Sequence, residues 1–332
     1  MIDSLKWLLN IQRKRSRLTQ VASGFTLVEL LVAMMISTIV ITTLLTFVTN
    51  MIDTERREQA KATTEQEVQA ALDYIADDLQ EAVYIYDADG INAIKSQLPN
   101  PGAKDRVPVL VFWKRLFLPK DSEVTLSKGN STKVGCLAKI PGTNTCNERD
   151  YFVYSLVAYY LIKNNNSKDS IWSSTARIGR FEVQDGISNP NIPNSYLKDK
   201  DPGFKLFDLS LPGNIKDKMN AWTKDSSNYD LRKNKIETLV DYIDQSKESG
   251  VPTPVNCEIT TSAEAQQVPE NDANPLGIYS FYACVDSSRN LAQVYLRGNA
   301  LARIHQNAMY SNDQSVYFPT VNVQVQSWGT IN

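Results

Sequence analysis

The chain has 332 residues, with 35 lysine and arginine residues against 37 aspartate and glutamate residues, and a formal net charge of −2. This balance argues against a nucleic-acid-binding protein, because such proteins carry a basic surface that neutralises phosphates. A single histidine, His305, and the lack of a G-x-S-x-G elbow or a phosphate-binding glycine loop argue against an enzyme or a nucleotide-driven motor, so we expect neither catalytic residues nor a cofactor.

A basic leader precedes a long apolar segment. Residues 1–24 hold five basic residues against Asp3, a net charge of +4 (5 − 1), so the positive-inside rule predicts that the leader stays in the cytoplasm. Phe25 to Ile52 is apolar except for Glu29 and is long enough to cross a hydrocarbon core of roughly 30 Å. A secretory signal is cut after its apolar stretch, whereas the candidate cleavage point at Gly24 comes before it. We therefore predict one membrane-spanning helix that survives processing, with the rest of the chain on the outer side of the cytoplasmic membrane.

The helix is expected to continue beyond the membrane. No glycine or proline occurs between Phe25 and Asp89, which favours one uninterrupted helix with an amphipathic second half at residues 53–89. Apolar positions recur there at three- and four-residue steps: Val68, Ala71, Leu72, Ile75, Leu79 and Val83. We expect this face to pack on a globular head formed by residues 90–332.

Polar residues within the apolar segment need partners. A carboxylate in a membrane helix costs about 2.5 to 3.5 kcal/mol, so Glu29 either has a partner or lies close enough to the interface to stay hydrated. The segment also contains four threonines: Thr42, Thr43, Thr46 and Thr49. Their hydroxyls either mark close helix contacts or bond the preceding turn of their own helix.

The head is predicted to be α+β with an antiparallel sheet. Strand-like runs occur at 107–118, 151–162, 176–183, 277–285, 293–300 and 316–328. In the last run, valines alternate with polar residues in the period-two pattern of a half-buried strand. Residues 186–276 resemble a loop-rich insertion, interrupted by a helix-like piece at Asn234 to Asp244.

Four cysteines lie in the part predicted to be outside the cytoplasm: Cys136, Cys146, Cys257 and Cys284. An even count in that compartment indicates disulfides, for which three complete pairings exist. Sequential pairing needs the least chain crossing and is preferred. A metal site is not expected, because the chain has no C-x-x-C pair and no histidine cluster.

The N-terminal motif resembles the class III signal of type IV pilins and type II secretion pseudopilins. The residues that carry the resemblance are Gly24, Phe25, Thr26, Leu27, Val28 and Glu29. The resemblance implies that a prepilin peptidase cuts after Gly24 and methylates Phe25. It also implies that Glu29 meets the amino terminus of a neighbouring subunit during assembly, which offsets the cost of burying its charge.

The resemblance further implies the partners and the role. These are other pilin or pseudopilin subunits, and an inner-membrane assembly platform with a separate motor ATPase. The large head and the segments 70–83, 151–163 and 294–301 are similar to larger minor pilins and J-type pseudopilins, and the overall likeness is to cyanobacterial pseudopilins of hormogonium polysaccharide secretion. Two other hypotheses are a glycan- or surface-binding adhesin pilin, and an uncleaved signal-anchor protein with a sensor ectodomain.

Overall fold

The computed structural model describes residues 24, 26–164, 171–190, 192, 195–247 and 250–329. The chain divides into two compact units, Met1–Glu55 and Arg56–Asn332. Phe25 and the leader up to residue 23 lie outside the described residues.

The first helix is by far the longest of the described helices. Four α-helices are described: α1 (Leu27–Gln80), α2 (Ala88–Ile94), α3 (Ile215–Asn220) and α4 (Cys257–Thr260). Short 3-10 helices occupy Lys95–Gln97, Val134–Cys136, Leu301–Arg303 and Asn312–Tyr317. Helix α1 runs for 54 residues without interruption, and within the described chain it is the one helix long and apolar enough to cross a membrane.

The first unit contains the apolar half of α1. All its described residues are exposed, and its surface is made of large aliphatic and sulfur-containing side chains such as Leu31, Met35, Ile39 and Leu44. An apolar helix surface of this kind is suited to lipid or to other apolar helices rather than to water.

The second unit contains thirteen described strands in two main sheets and two small hairpins. In chain order they are β1 (Ala82–Ile85), β2 (Arg106–Leu118), β3 (Glu123–Thr125), β4 (Ser131–Lys133), β5 (Tyr151–Lys163), β6 (Ala176–Gln184), β7 (Ile187–Ser188), β8 (Tyr196–Lys198), β9 (Glu237–Ile243), β10 (Gln266–Val268), β11 (Phe281–Asp286), β12 (Leu291–Arg297) and β13 (Thr320–Gln326). One sheet has the order β1-β2-β5-β6-β9 and the other β10-β11-β12-β13, with all neighbours antiparallel. The predicted α+β class with an antiparallel head is confirmed.

The two sheets are joined where β9 ends. Ile243 forms a β-bridge with Gly298, and backbone N–H groups connect Asp244 to Arg297 and Asn299 to Tyr242. The end of β9 is thus hydrogen-bonded to the end of β12, which connects the two sheets. Side chains from both sheets belong to one apolar core.

The second half of α1 packs on that core through the predicted face. Val68, Leu72, Ile75 and Leu79 are all at most 1% exposed and belong to one apolar cluster with side chains from both sheets. Burying such a side chain stabilises the fold by about 1.5 to 3 kcal/mol. The three- and four-residue periodicity therefore identified the packing face correctly.

The prediction that the helix continues to residue 89 is wrong. Helix α1 ends at Gln80, and Val83 lies on β1, where Tyr84 pairs with Trp113 of β2. The run from Val83 to Tyr86 is β-branched and aromatic, and such residues favour strands. The lack of glycine and proline in this segment allows a helix but does not determine where the helix ends.

The prediction of a helix-like piece at Asn234–Asp244 is also wrong. Residues 237–243 form strand β9, which pairs with β6. Irregular pairing around Ile178 and a positive φ of 56° at Tyr242 break the simple alternation. Irregularities in a strand can place inward residues three or four positions apart, as on a helix. The segment 186–276 consequently supplies an edge strand to each main sheet, β9 and β10, in addition to loops.

Helix α1 approaches the second sheet very closely at Gly298. A Cβ added there would lie 2.6 Å from Cγ2 of Thr64 and 2.9 Å from Cγ2 of Val68. We expect Gly298→Ala to lower the free energy of unfolding by about 1 to 3 kcal/mol, because overpacking forces the helix away from the sheet. Urea unfolding of the full-length chain in detergent measures this. Gly102→Ala is the control, since no atom lies within 4 Å of its added Cβ; equal effects of the two substitutions would contradict the close approach.

Candidate functional site

The residues of the predicted signal motif form the start of α1. Helix α1 begins at Leu27, and the hydroxyl of Thr26 accepts a hydrogen bond of 3.2 Å from the backbone N–H of Glu29. Thr26 is therefore the N-cap of the helix, which satisfies one of the free N–H groups of the first turn. The spacing of Thr26 and Glu29 is that of a capping box.

Glu29 has a defined position on the helix. It is the acidic residue of the first turn, where the helix dipole favours negative charge. Its side chain is exposed, and among the described residues no basic group pairs with it. In the sequence the next charge along the helix is Asp53. Within the described part of the chain the carboxylate is thus an isolated charge at the start of an apolar surface, and it is able to pair with a cation from another chain.

The threonines of the apolar half bond their own helix. Each hydroxyl donates to a carbonyl three or four residues earlier, at 2.7 Å for Thr42, 2.9 Å for Thr43, 3.0 Å for Thr46 and 2.9 Å for Thr49. The second of the two interpretations of these threonines is confirmed. Because the hydroxyls already have acceptors, this part of α1 can enter an apolar environment without unpaired hydroxyl groups.

A buried ion cluster fixes the C-terminal end of α1 to the first sheet. Asp78 is 7% exposed and accepts hydrogen bonds from Lys114 Nζ at 2.9 Å, Tyr159 Oη at 2.6 Å and Arg180 Nε at 2.6 Å. These donors lie on β2, β5 and β6, so one carboxylate connects the helix to three strands. Burial alone would raise the pKa of Asp78, but the hydrogen bonds and charge of Arg180, with Tyr159 and Lys114, outweigh it and hold the pKa below its usual value.

A second cluster attaches the middle of the docked helix. Arg303 donates from Nε to the hydroxyl of Thr64 at 2.8 Å, pairs with Glu67 and lies over the ring of Tyr242 at 4.1 Å from its centroid. Sequence analysis identified neither cluster. One signal was present: Asp78 falls three residues after Ile75, on the apolar face of the helix, where an acid needs a buried partner.

The four cysteines form two disulfides, Cys136–Cys146 and Cys257–Cys284. This is the sequential pairing. The first closes a loop after the 3-10 helix Val134–Cys136, and the second ties α4 to the buried strand β11. Glu148 lies near the sulfur atoms of the first pair, but their S–S bond leaves no thiolate to bind a metal. His305 is exposed after the 3-10 helix Leu301–Arg303.

Comparison with known proteins identifies the N-terminal segment. The family model described as the prokaryotic N-terminal methylation motif matches residues 20–45, which include the junction of Gly24 and Phe25 and the first turns of α1. No curated protein and no solved structure matches the chain. The motif and the long apolar helix that follows it support a type IV pilin-like protein, anchored in a membrane and assembled with other pilins.

Proposed function

We propose that the chain is a non-catalytic minor pilin or pseudopilin subunit of a type IV pilus or of a type II secretion-like machine. The observation that carries this proposal is the isolated Glu29 carboxylate in the first turn of an exposed apolar helix, within a match to the methylation motif. Proteins with this motif are generally structural.

Processing is the first step of the proposed function. A prepilin peptidase removes residues 1–24 by cutting between Gly24 and Phe25, and the new amino group of Phe25 is methylated. The cut places a positive charge four residues before Glu29. Thr26 caps the helix immediately after this terminus, which holds the first turn in a defined conformation.

Assembly is the second step. In the membrane, Glu29 carries a cost of about 2.5 to 3.5 kcal/mol that a single subunit cannot offset with its own described residues. When subunits stack, the amino terminus of a neighbour pairs with this carboxylate, while the exposed apolar side chains of residues 27–52 pack on other helices. An inner-membrane platform and a separate motor ATPase supply the energy for extraction.

The remainder of the chain forms the head on the outer side of the membrane. Residues 53–89 begin with the docked half of α1, and residues 90–332 contain nearly all the strands of both sheets. The size of this head supports a minor or tip-proximal subunit of the J-type class. Within that class we propose a role in motility-linked polysaccharide secretion, which follows from the overall likeness to the cyanobacterial pseudopilins.

Mass spectrometry of the mature amino terminus tests this proposal. We expect a peptide that begins with methylated Phe25, and we expect Gly24→Val to leave the longer precursor, because the branched side chain occupies the peptidase's glycine position. Gly102→Val is the control, since its added Cβ meets no atom within 4 Å and its leader should be removed normally. An unprocessed terminus in the wild-type chain would contradict the proposal and support the uncleaved signal anchor.

A deletion strain tests the biological role. We expect reduced export of polysaccharide together with reduced motility, and restoration of both by the wild-type chain but not by Gly24→Val. Normal motility and normal export in the deletion strain would contradict the assignment to secretion-linked motility.

A further inference from the structure

Strand β13 is the outer strand of the second sheet. It runs for seven residues in regular register with β12, without a bulge, and pairs with no other strand among the described residues. A regular, extended edge of this kind offers a row of backbone N–H and C=O groups to a further strand. Natural proteins usually protect such an edge with charges, proline, a bulge or a covering segment, so an unprotected edge is a candidate docking surface.

The backbone groups on the outer edge of β13 are identified by the hydrogen bonds at its two ends. Just before the strand, the N–H of Gly298 donates to the carbonyl of Pro319 at 2.9 Å. Just after it, the N–H of Ser327 donates to the carbonyl of Asn290 at 3.0 Å. Because paired and outward backbone groups alternate along a strand, the valines of β13 bond β12 and the polar residues face outward. No outward backbone group has a hydrogen-bond partner in the described part of the chain; the residues concerned are Thr320, Asn322, Gln324 and Gln326.

The other edge strands of the two main sheets are protected or short. The side chain of Asn290 donates to the carbonyl of Val83 at 3.1 Å and accepts from the N–H of Ile85 at 3.2 Å, so it covers the outer edge of β1. Strand β9 pairs irregularly, and near its end Tyr242 has a positive φ of 56° and accepts a hydrogen bond from Asn299. Strand β10 has three residues. Among the described edge strands of these sheets, β13 is therefore the best suited to accept another strand.

An open groove of about 650 Å³ lies between this edge and α1. Its walls include Thr320 and Val321 on one side and Glu65, Gln69 and Asp73 on the other. The valines of β13 belong to the same apolar cluster as the buried face of α1, so they point to the side of the sheet that α1 covers. Side chains of neighbouring strands alternate together. Every second side chain of an added strand would therefore point into the groove beside α1.

The α1 side of the groove is acidic. Residues 62–81 contain six acidic residues and no lysine or arginine. Three of the six pair with cations from other parts of the head: Glu67, Asp78 and Glu81. Glu65 has only Lys61 of its own helix at 3.9 Å, while Asp73 and, one turn later, Asp77 are exposed and make no ion pair within the described ranges. Strand β13 carries no charged side chain, so the groove favours a cationic occupant.

We propose that the outer edge of β13 and the adjoining groove bind an extended segment of another protein that carries basic side chains at alternate positions. The segment joins the four-stranded second sheet as a further strand, and its basic side chains face Asp73 and Asp77 on α1. Backbone hydrogen bonds supply affinity and the alternate side chains supply specificity. A second copy of the chain fits less well, because two acidic grooves would then adjoin. The proposal concerns the head alone and does not depend on processing or assembly.

Binding of a fluorescent peptide to the full-length chain in non-ionic detergent tests the surface. The peptide is capped at both ends, has as many residues as β13 and alternates lysine with threonine. We expect fluorescence anisotropy to show saturable binding. The same peptide with glutamate in place of lysine should bind about tenfold more weakly, because its carboxylates would face those of α1.

Two methylated peptides test whether the bound segment pairs as a strand. Residues that face each other across a strand pair place their side chains on the same face, so the threonines pair with the outward polar residues of β13 and the lysines point toward α1. N-methylation of the threonines removes the N–H groups that face β13 and should abolish saturable binding. N-methylation of the lysines removes N–H groups on the solvent side and should leave the affinity unchanged.

Variants of the chain test the two parts of the surface separately. The N–H of Asn322 faces outward, where an edge strand tolerates proline, so Asn322→Pro should keep the wild-type Tm while weakening binding of the lysine peptide about tenfold. Asp73→Asn should weaken the same binding about threefold, as expected for the loss of one exposed ion pair. Glu123→Gln removes an exposed acid on β3 and should change nothing.

The peptide comparisons on the wild-type chain hold even if Asn322→Pro fails to fold. Failure of the lysine peptide to saturate, equal binding of the lysine and glutamate peptides, or equal binding of the two methylated peptides would overturn the docking surface. Unchanged affinity in a folded Asn322→Pro variant would do the same. Dimers of the chain that Asn322→Pro dissociates would assign the edge to a second copy and overturn the basic partner.

Discussion

Replacing Glu29 by alanine is expected to abolish incorporation of the subunit into filaments while leaving its insertion into the membrane intact. In the proposed mechanism the carboxylate costs about 3 kcal/mol in the lipid, and pairing with a neighbour's amino terminus removes this cost only in the assembled state. A difference of about 3 kcal/mol corresponds to roughly a 150-fold change in the assembly equilibrium. Quantitative immunoblotting of sheared filaments against the membrane fraction measures the change.

Two control variants separate charge from shape in this experiment. Glu29→Gln keeps the size and the position of the side chain but removes the charge, so it should also fail to assemble. Glu55→Ala removes an exposed acid from the same helix beyond the apolar segment and should assemble normally. Incorporation of Glu29→Ala at the wild-type level would show that pairing of this charge does not drive assembly.

Replacing Asp78 by alanine is expected to lower the free energy of unfolding by about 3 to 5 kcal/mol. The substitution leaves the buried Tyr159 hydroxyl without its acceptor and leaves the cations Lys114 and Arg180 with only Glu81 and Glu182 as partners at a mostly buried position. Urea unfolding followed by tryptophan fluorescence reports on this change through Trp113, which is fully buried on β2. Asp77→Ala, one residue away and exposed, should change stability by less than about 0.5 kcal/mol.

The same cluster predicts how stability depends on pH. Because the pKa of Asp78 is held below its value in the unfolded chain, its contribution is complete above the unfolded pKa of about 3.9 and is lost as the pH falls below it. As the pH falls below about 4, the free energy of unfolding of the wild-type protein should therefore decrease more steeply than that of Asp78→Ala. Parallel acid-unfolding profiles for the two proteins, or an Asp78→Ala cost no larger than that of Asp77→Ala, would show that the cluster contributes little.

Much of the architecture could be predicted from local patterns. The packing face of α1 repeats regularly along the sequence, and the alternating valines of β13 identify one half-buried strand. Such patterns are visible in one sequence because a helix or strand places its buried side chains at fixed intervals. The motif around Gly24 and Glu29 is equally local, since all its residues are contiguous.

Features that depend on distant partners could not be predicted in this way. The end of α1 is determined by the pairing of β1 with β2, and the strand character of residues 237–243 is determined by the edge of β6. The Asp78 cluster joins residues separated by up to 102 positions in the chain.

The two ion clusters on α1 have a mechanical consequence for a subunit that is pulled along its helix. Tension that reaches the head at Arg56 is met first by Arg303, through Thr64 and Glu67, and then by Asp78, which is linked to three strands. At the second attachment one carboxylate bonds donors on three strands, so these three hydrogen bonds share the load. The head is thereby built to resist extraction of its own helix under force.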